Sequence, residues 1–336
     1  MAESAALTRE VAAAVGLAEG ESGVRAVLAA VARLEPVSVR RLSRAVELPV
    51  PIVAAVCGEL RKRLVVAEER PVQLTPFGRD VFAPGALALG QSRSCTACHG
   101  RGAVLPQGLG RLRSEIRRAT EPGPPARLEL DQCHCTFETK LRRVLALHEA
   151  DALVGRRVLL LGDDDLTSVA IGATVRELGA AATIAGLTVL DVDPAVLAYA
   201  GGELADAPFP ATFVEHDLRV PLGPPLRGAF DTVFTDPPYT EPAARLFLSR
   251  AAEALVGAGG DVFLCFGSRR PGAAHLAQRA MGEAGFTIRQ LVRDFNRYVG
   301  AGVLGGTSHL YHLVATKDVR PLVEGVYDGP LYTAES

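Results

Sequence analysis

The chain has 336 residues, 48% of them hydrophobic and 22% charged, with a formal net charge of −2. That length holds two or three domains with real cores, and the composition is ordinary for a globular protein in water. The near-neutral charge gives no bulk electrostatic case for nucleic acid. With neither a basic leader nor an apolar run of about 18 residues, a cytoplasmic protein that neither enters a membrane nor is secreted is expected.

Residues 1–20 are Ala-rich and expected to be helical or loosely ordered. Apolar residues at helical spacing follow over 24–34. Ser38 then caps a short helix over 39–46, and Leu48-Pro49 turns into a further helix over 51–64. Val65-Val66-Ala67 and Val72-Gln73-Leu74-Thr75, with Arg70-Pro71 between them, read as the strands and tip of a wing. Residues 1–84 are therefore expected to form a winged helix-turn-helix domain with 51–63 in the recognition position. Its basic residues (Arg40, Arg41, Arg44, Arg61, Lys62 and Arg63) read as solvated, so nucleic acid is not an expected partner.

Residues 85–138 are rich in Gly, Pro and Arg and read as a connector. They carry Cys95-Thr96-Ala97-Cys98 and Cys133-His134-Cys135. Four thiolates satisfy tetrahedral zinc, so Cys95, Cys98, Cys133 and Cys135 are candidate ligands of a structural zinc, with His99 or His134 as substitutes. A disulfide is not expected in a cytoplasmic chain. Cys57 and Cys265 sit in apolar surroundings and read as core.

A helix is expected from about 139 to 150, and from there strand and helix patterns alternate through the domain assigned to 139–336. Strands are expected at 158–161, 188–190, 212–214, 232–234, 261–266 and 287–291, with helices at 166–178, 195–200 and 243–256. This is the pattern of an α/β fold, a doubly wound parallel sheet. Open sheets of this kind bind ligands at the C-terminal ends of their strands, and there the sequence places acids. Gly162-Asp163-Asp164-Asp165 follows the first strand, Asp191 and Asp193 the second, Asp217 the third and Asp236 the fourth.

This layout resembles the Rossmann-like fold of class I methyltransferases and aminopropyltransferases, in which Gly162 opens the cofactor turn, Asp191 binds ribose hydroxyls and Asp217 sits near the adenine. Asp236-Pro237-Pro238-Tyr239 is similar to the Asn/Asp-Pro-Pro-Tyr motif of amino-methyltransferases, a rigid loop offering a carboxylate and an aromatic ring to a nucleophilic amine. The acidic turn argues against S-adenosylmethionine itself. Its carboxylate would meet three others, each pair costing about 4 kcal/mol at 4 Å and an effective dielectric near 20. A decarboxylated donor and a polyamine acceptor are cationic and would be attracted.

Gly162-Asp163-Asp164-Asp165-Leu166-Thr167-Ser168, Leu190-Asp191-Val192-Asp193, Phe213-Val214-Glu215-His216-Asp217-Leu218-Arg219 and Thr235-Asp236-Pro237-Pro238 together resemble the branched-chain polyamine synthase family. Asp131-Gln132, Thr136, Glu138, Thr139, Asn296 and Tyr298 add to the likeness, which runs from about 90 to 315. It implies transfer of aminopropyl groups from decarboxylated S-adenosylmethionine to the secondary nitrogen of spermidine or a similar polyamine, with release of methylthioadenosine. Carried over, Asp164, Asp165 and Asp236 are the catalytic carboxylates. Gly162, Asp163, Asp191, Asp193 and Asp217 bind the donor, and Asp131, Gln132, Glu138, Pro237, Tyr239 and Asn296 the acceptor. A homodimer is also compatible with this reading. The alternatives are an S-adenosylmethionine-dependent amino-methyltransferase acting on nucleic acid, and a non-enzymatic polyamine or nucleotide sensor.

Overall fold

The protein was analysed as a computed structural model that describes residues 2–68, 70–82, 104–106, 108–179, 183–267, 271–300 and 306–333. The described residues divide into an N-terminal unit that runs through Phe82 and a larger unit that carries the sheet. No helix among them is long and apolar enough to cross a membrane.

The N-terminal unit contains α1 (Ala2–Val15), α2 (Gly20–Leu34), α3 (Val39–Val46), α4 (Val50–Lys62) and α5 (Pro76–Phe82). The Ser38 side chain caps α3 by accepting from the Arg41 N–H. Val24, Val27, Leu28 and Val31 of α2 close over Val53, Val56, Cys57 and Leu60 of α4. The 65–75 segment folds back on itself through a Val66–Leu74 bridge. α5 was not legible in the pattern, because Pro76-Phe77-Gly78 reads as a turn.

The larger unit adds α6 (Gly110–Thr120), α7 (Phe137–Glu149), β1 (Arg157–Leu161), α8 (Thr167–Leu178), β2 (Gly186–Asp191), α9 (Pro194–Glu203), β3 (Ala211–Glu215) and β4 (Thr232–Thr235). It ends with α10 (Glu241–Ala254), β5 (Asp261–Phe266), α11 (Pro271–Glu283), β6 (Phe286–Arg297) and β7 (Thr307–Ala315). The sheet order is β3-β2-β1-β4-β5-β7-β6. The strands from β3 to β5 are parallel, but β7 runs antiparallel to β5, so the sheet is mixed rather than wholly parallel. Neither α11 nor β7 was expected. β7 follows a Gly-rich stretch and alternates His309 and His312 among apolar residues, which hides its strand character.

Burial on both faces explains the near-continuous apolar runs of the central strands. Leu159, Leu161, Val233, Val262 and Leu264 pack with α10 and α11 on one face. Val158, Leu160, Val189, Phe234 and Phe263 pack with α6, α7 and α8 on the other. Part of the expected connector thus belongs to this core, since Leu112 and Ile116 of α6 are buried in it. Leu161 pairs with Leu190 on one side and with Thr235 on the other. Strand order reverses at β1, between β2 and β4, and this switch point brings residues 162–165, 191–193 and 236–239 to one crevice.

Candidate active site

The acidic turn after β1 divides its carboxylates among separate tasks. Gly162, at φ +74°, turns the chain in a conformation that a side chain would strain, and its N–H bonds to Leu190 O at 2.8 Å. Asp163 points inward and caps α8, accepting from the Ser168 N–H at 3.2 Å and from the Ser168 hydroxyl. Leu166 follows at φ 54° and is fully buried, an uncommon backbone state for a residue with a side chain. Asp164 lines the crevice. Asp165 is buried against α7.

What meets Asp165 there is Arg143, which the sequence reading passed over. Its guanidinium, 1% exposed, reaches Asp165 Oδ2 through Nη1 (2.7 Å) and Asp236 Oδ2 through Nη2 (2.5 Å). Nε donates to Asn296 Oδ1 at 3.0 Å, while Nη1 also bonds Thr167 Oγ1 at 3.2 Å. The Tyr298 hydroxyl donates to Asp236 Oδ2 at 2.7 Å. The Tyr239 hydroxyl lies 3.0 Å from Asp236 Oδ1 and 2.6 Å from the Tyr298 oxygen. Asp236 is thus held by Arg143, Tyr239 and Tyr298. The signal in the sequence was positional: Arg143 falls on the same helix face as Thr139 and Leu147, both buried.

These placements separate the acids electrostatically. Burial pushes Asp163 up to about 7, partly countered by its bonds from Ser168. Burial raises Asp164 well above the ordinary range, and Asp165, Asp236 and Asp191 add to the rise. Asp165 is held below its usual value: burial opposes its charge, but Arg143, Lys140 and the Cys135 N–H together outweigh it. Burial brings Asp236 to about 6 against the pull of Arg143.

The other half of the crevice has a different make-up. Asp191 accepts from the backbone N–H groups of Asp163 and Asp193, each at 2.8 Å, which fixes its plane at the end of β2. Asp193 is buried and caps α9 through Ala195 N, with Gln132 Nε2 3.3 Å from its other oxygen. Val192, Leu218, Phe247, Pro238, Leu331 and Tyr332 supply apolar walls to a half-open cleft that Asp164, Asp191, Asp217 and Asp236 also line. The C-terminal segment reaches the rim because Asp131 takes bonds from the Thr333 N–H (2.6 Å) and hydroxyl (2.8 Å).

Of the expected site residues, Gly162, Asp164, Asp191, Asp217, Asp236 and Gln132 line the cleft. Asp163, Asp165 and Asp193 are buried beneath it. Asn296 faces Arg143 and Ser308, Glu138 faces Arg113 at 3.7 Å, and Pro237 is buried, with Pro238 at the wall. Phe247, Leu331 and Tyr332 were not anticipated; they come from a helix face and a tail without a motif.

The zinc expectation finds no support. Cys95 and Cys98 lie outside the described residues, and among those described no group of His, Cys, Asp or Glu is arranged to hold a metal ion. The Cys133-His134-Cys135 segment instead clasps the acidic turn. Cys133 N bonds Asp164 Oδ2 at 3.3 Å, Cys135 N bonds Asp165 Oδ1, and the His134 ring faces the carbonyl oxygens of Asp164 and Pro124. Burial drives the Cys135 thiol well above its ordinary value, so it stays protonated. Cys57 and Cys265 are core residues as expected.

Comparison with known proteins bears on this cleft. The branched-chain polyamine synthase A C-terminal domain matches residues 113–327. An uncharacterised protein of Methanocaldococcus jannaschii is 34% identical over 312 residues, covering 92% of this chain and 77% of that one. The N(4)-bis(aminopropyl)spermidine synthase of Thermococcus kodakarensis is 31% identical over 268 residues, 78% of this chain and 74% of its own. The crystal structure of the branched-chain polyamine synthase from Thermus thermophilus, in complex with N4-aminopropylspermidine and 5'-methylthioadenosine, superposes with a TM-score of 0.76 at 25% identity. The superposition covers 99% of this chain and 98% of that one.

Proposed function

Because the chain belongs to the branched-chain polyamine synthase family, we propose that it transfers aminopropyl groups from decarboxylated S-adenosylmethionine to the secondary nitrogen of a spermidine-like polyamine. The observation that carries the reading is one cleft at the switch point lined by the Asp164, Asp191, Asp217 and Asp236 carboxylates together with apolar side chains.

Asp191 suits a ribose, since a carboxylate already fixed by two backbone donors still has lone pairs for two hydroxyls. Val192, Leu218 and Phe247 suit an adenine, with Asp217 at its edge. Asp164 and Asp236 then face the cationic portion of the donor and the acceptor amine. The acceptor nitrogen loses a proton to Asp164, which lines the cleft and whose affinity for protons is raised by burial and by the neighbouring acids. The nitrogen lone pair forms a bond to the carbon beside sulfur as the carbon–sulfur bond breaks. Sulfur keeps the electron pair and leaves in methylthioadenosine. Asp236 stabilises the positive charge on the amine from the opposite side.

A methyl-transferring enzyme for nucleic acid is not favoured, because the cleft mouth is acidic. In the N-terminal unit, which we read as a winged-helix module, Lys62 and Arg63 bond Glu59, and Arg61 bonds Ala67 O, so the basic end of α4 is engaged internally. Mass spectrometry of a reaction with decarboxylated S-adenosylmethionine and spermidine should show methylthioadenosine and a tertiary amine bearing the new aminopropyl group. A linear product, or none, would reject the proposed acceptor site.

A further inference from the structure

We propose that Arg143 is the positioning residue of the amine end: it locks Asp165 and Asp236 into one buried ion triad and leaves Asp164 as the carboxylate free to take the proton. The inference rests on the aminopropyl-transfer reading and adds to it a residue outside the cleft wall.

A fully buried guanidinium is tolerated only when its donors are satisfied, and here every nitrogen has an acceptor. The acceptors come from different parts of the unit: Asp165 from the turn after β1, Thr167 from α8, Asp236 from the loop after β4, Asn296 and Tyr298 from β6 and the residue after it. A planar fork reads such a set only in one arrangement, so Arg143 fixes the spacing of the loops that carry Asp164 and Asp236. Among the described residues, Asp164 takes a side-chain bond from the Cys133 N–H at 3.3 Å and forms no ion pair. Its freedom follows from the engagement of its neighbours.

Arg250 provides the contrast. It is equally buried, yet it bonds Glu253 and the carbonyl oxygens of Leu218, Arg219, Val323 and Gly325, and no carboxylate of the cleft. A buried arginine in this unit can therefore serve the fold alone. Arg143 differs because its partners are the acids of the site.

The groups facing the triad are Lys140 on α7, Cys135 before it, Cys265 on β5, Tyr239, Tyr298, Asp164 and Asp191. Removing the guanidinium charge leaves Asp165 and Asp236 uncompensated beside Asp164. Asp164 then holds its proton to higher pH, and the acid limb of the turnover profile moves upward.

Arg143→Lys and Arg143→Gln, with Arg250→Lys as control, test this in the full chain. Turnover in both Arg143 variants should fall on the order of 100-fold at pH 7, as for a site misplaced by about an ångström. In Arg143→Gln, which loses the charge, the deficit should shrink as pH rises, whereas in Arg143→Lys, which keeps it, the acid limb should move less. In both, methylthioadenosine binding by calorimetry stays within about threefold of wild type, because Asp191 and its backbone donors are untouched. Arg250→Lys should leave the acid limb in place. If Arg143→Gln does not fold, Asn296→Ser, which loosens the guanidinium by removing its Nε acceptor and also gives up the amide bond to Ser308, should shift the limb in the same direction by less. Carbon-13 NMR titration of the Asp164 carboxyl should show the same upward shift without turnover. A wild type inert toward decarboxylated donor but with the NMR shift intact would count against the transfer reading and not against Arg143. Unchanged acid limbs and an unchanged Asp164 titration, with activity lost only in proportion to folded protein, would overturn the proposal.

Discussion

At the adenosine end of the cleft, Asp191 is oriented by backbone N–H groups of residues 163 and 193, at the ends of neighbouring strands. At the amine end, Asp165 and Asp236 are oriented by side chains, Arg143, Tyr298 and Tyr239, that arrive from α7, from beyond β6 and from the Asp236 loop itself. Backbone donors follow from the fold, so any sequence that makes these strand ends makes most of the site proposed for the ribose. Side-chain donors must each be supplied, so the amine end is where the chemistry is specified. A substitution at the first end should act on donor affinity, and one at the second on turnover.

The sharpest break between the ends is expected at Asp164. Asp164→Asn removes the proton acceptor and should lower turnover by about 1,000-fold, within the range for a general base, while calorimetry finds methylthioadenosine binding near wild type. A parallel loss of both would merge the two ends into one site. Next in size is Asp191→Ala, which removes charge-assisted hydrogen bonds and should raise the donor KM by roughly 10- to 100-fold with turnover at saturation preserved. A fall in turnover with KM unchanged would contradict the assignment of Asp191 to ribose.

Asp163 sharpens the comparison in stability rather than rate. Its carboxyl is raised to about 7 in the folded protein against 3.8 as an ordinary group, so the folded state holds its proton more tightly. The stability this contributes is full below the ordinary value and is lost as pH rises through the folded one. Asp163→Asn, which keeps an oxygen for Ser168, should remove that part of the decline in denaturant midpoint between pH 4 and 7. A slope identical to wild type would mean that Asp163 does not titrate in that window. Smallest is Thr333→Val, which removes one hydroxyl bond to Asp131 and leaves the N–H bond; the donor KM should rise by no more than about threefold.

The sequence made the first end legible and only part of the second. Strand-end acids could be read because β1, β2 and β4 are short apolar runs with acids close behind them, and parallel pairing of such strands places their ends together. Which acid does what could not be read. Asp163, Asp164 and Asp165 are identical in type and adjacent in sequence, and their fates differ only because a tight turn aims one at Ser168, one at the cleft and one at Arg143. Arg143 sits beside Arg142 in a helix where arginines are ordinarily solvated, and its importance depends on partners up to 155 residues away. The Cys133-His134-Cys135 segment carries a role that its residue types do not announce. Its spacing suggests metal, whereas its backbone N–H groups do the holding.

The central claim is that the free carboxylate at the amine end selects a donor without a carboxylate of its own. It is tested most directly by measuring kcat/KM for aminopropyl transfer from decarboxylated S-adenosylmethionine, and for any transfer from S-adenosylmethionine, with the same polyamine. Wild type should prefer the decarboxylated donor by at least about 1,000-fold, from the several kcal/mol of repulsion between close carboxylates, and Asp164→Asn should narrow that preference. Comparable use of both donors by wild type would contradict the account.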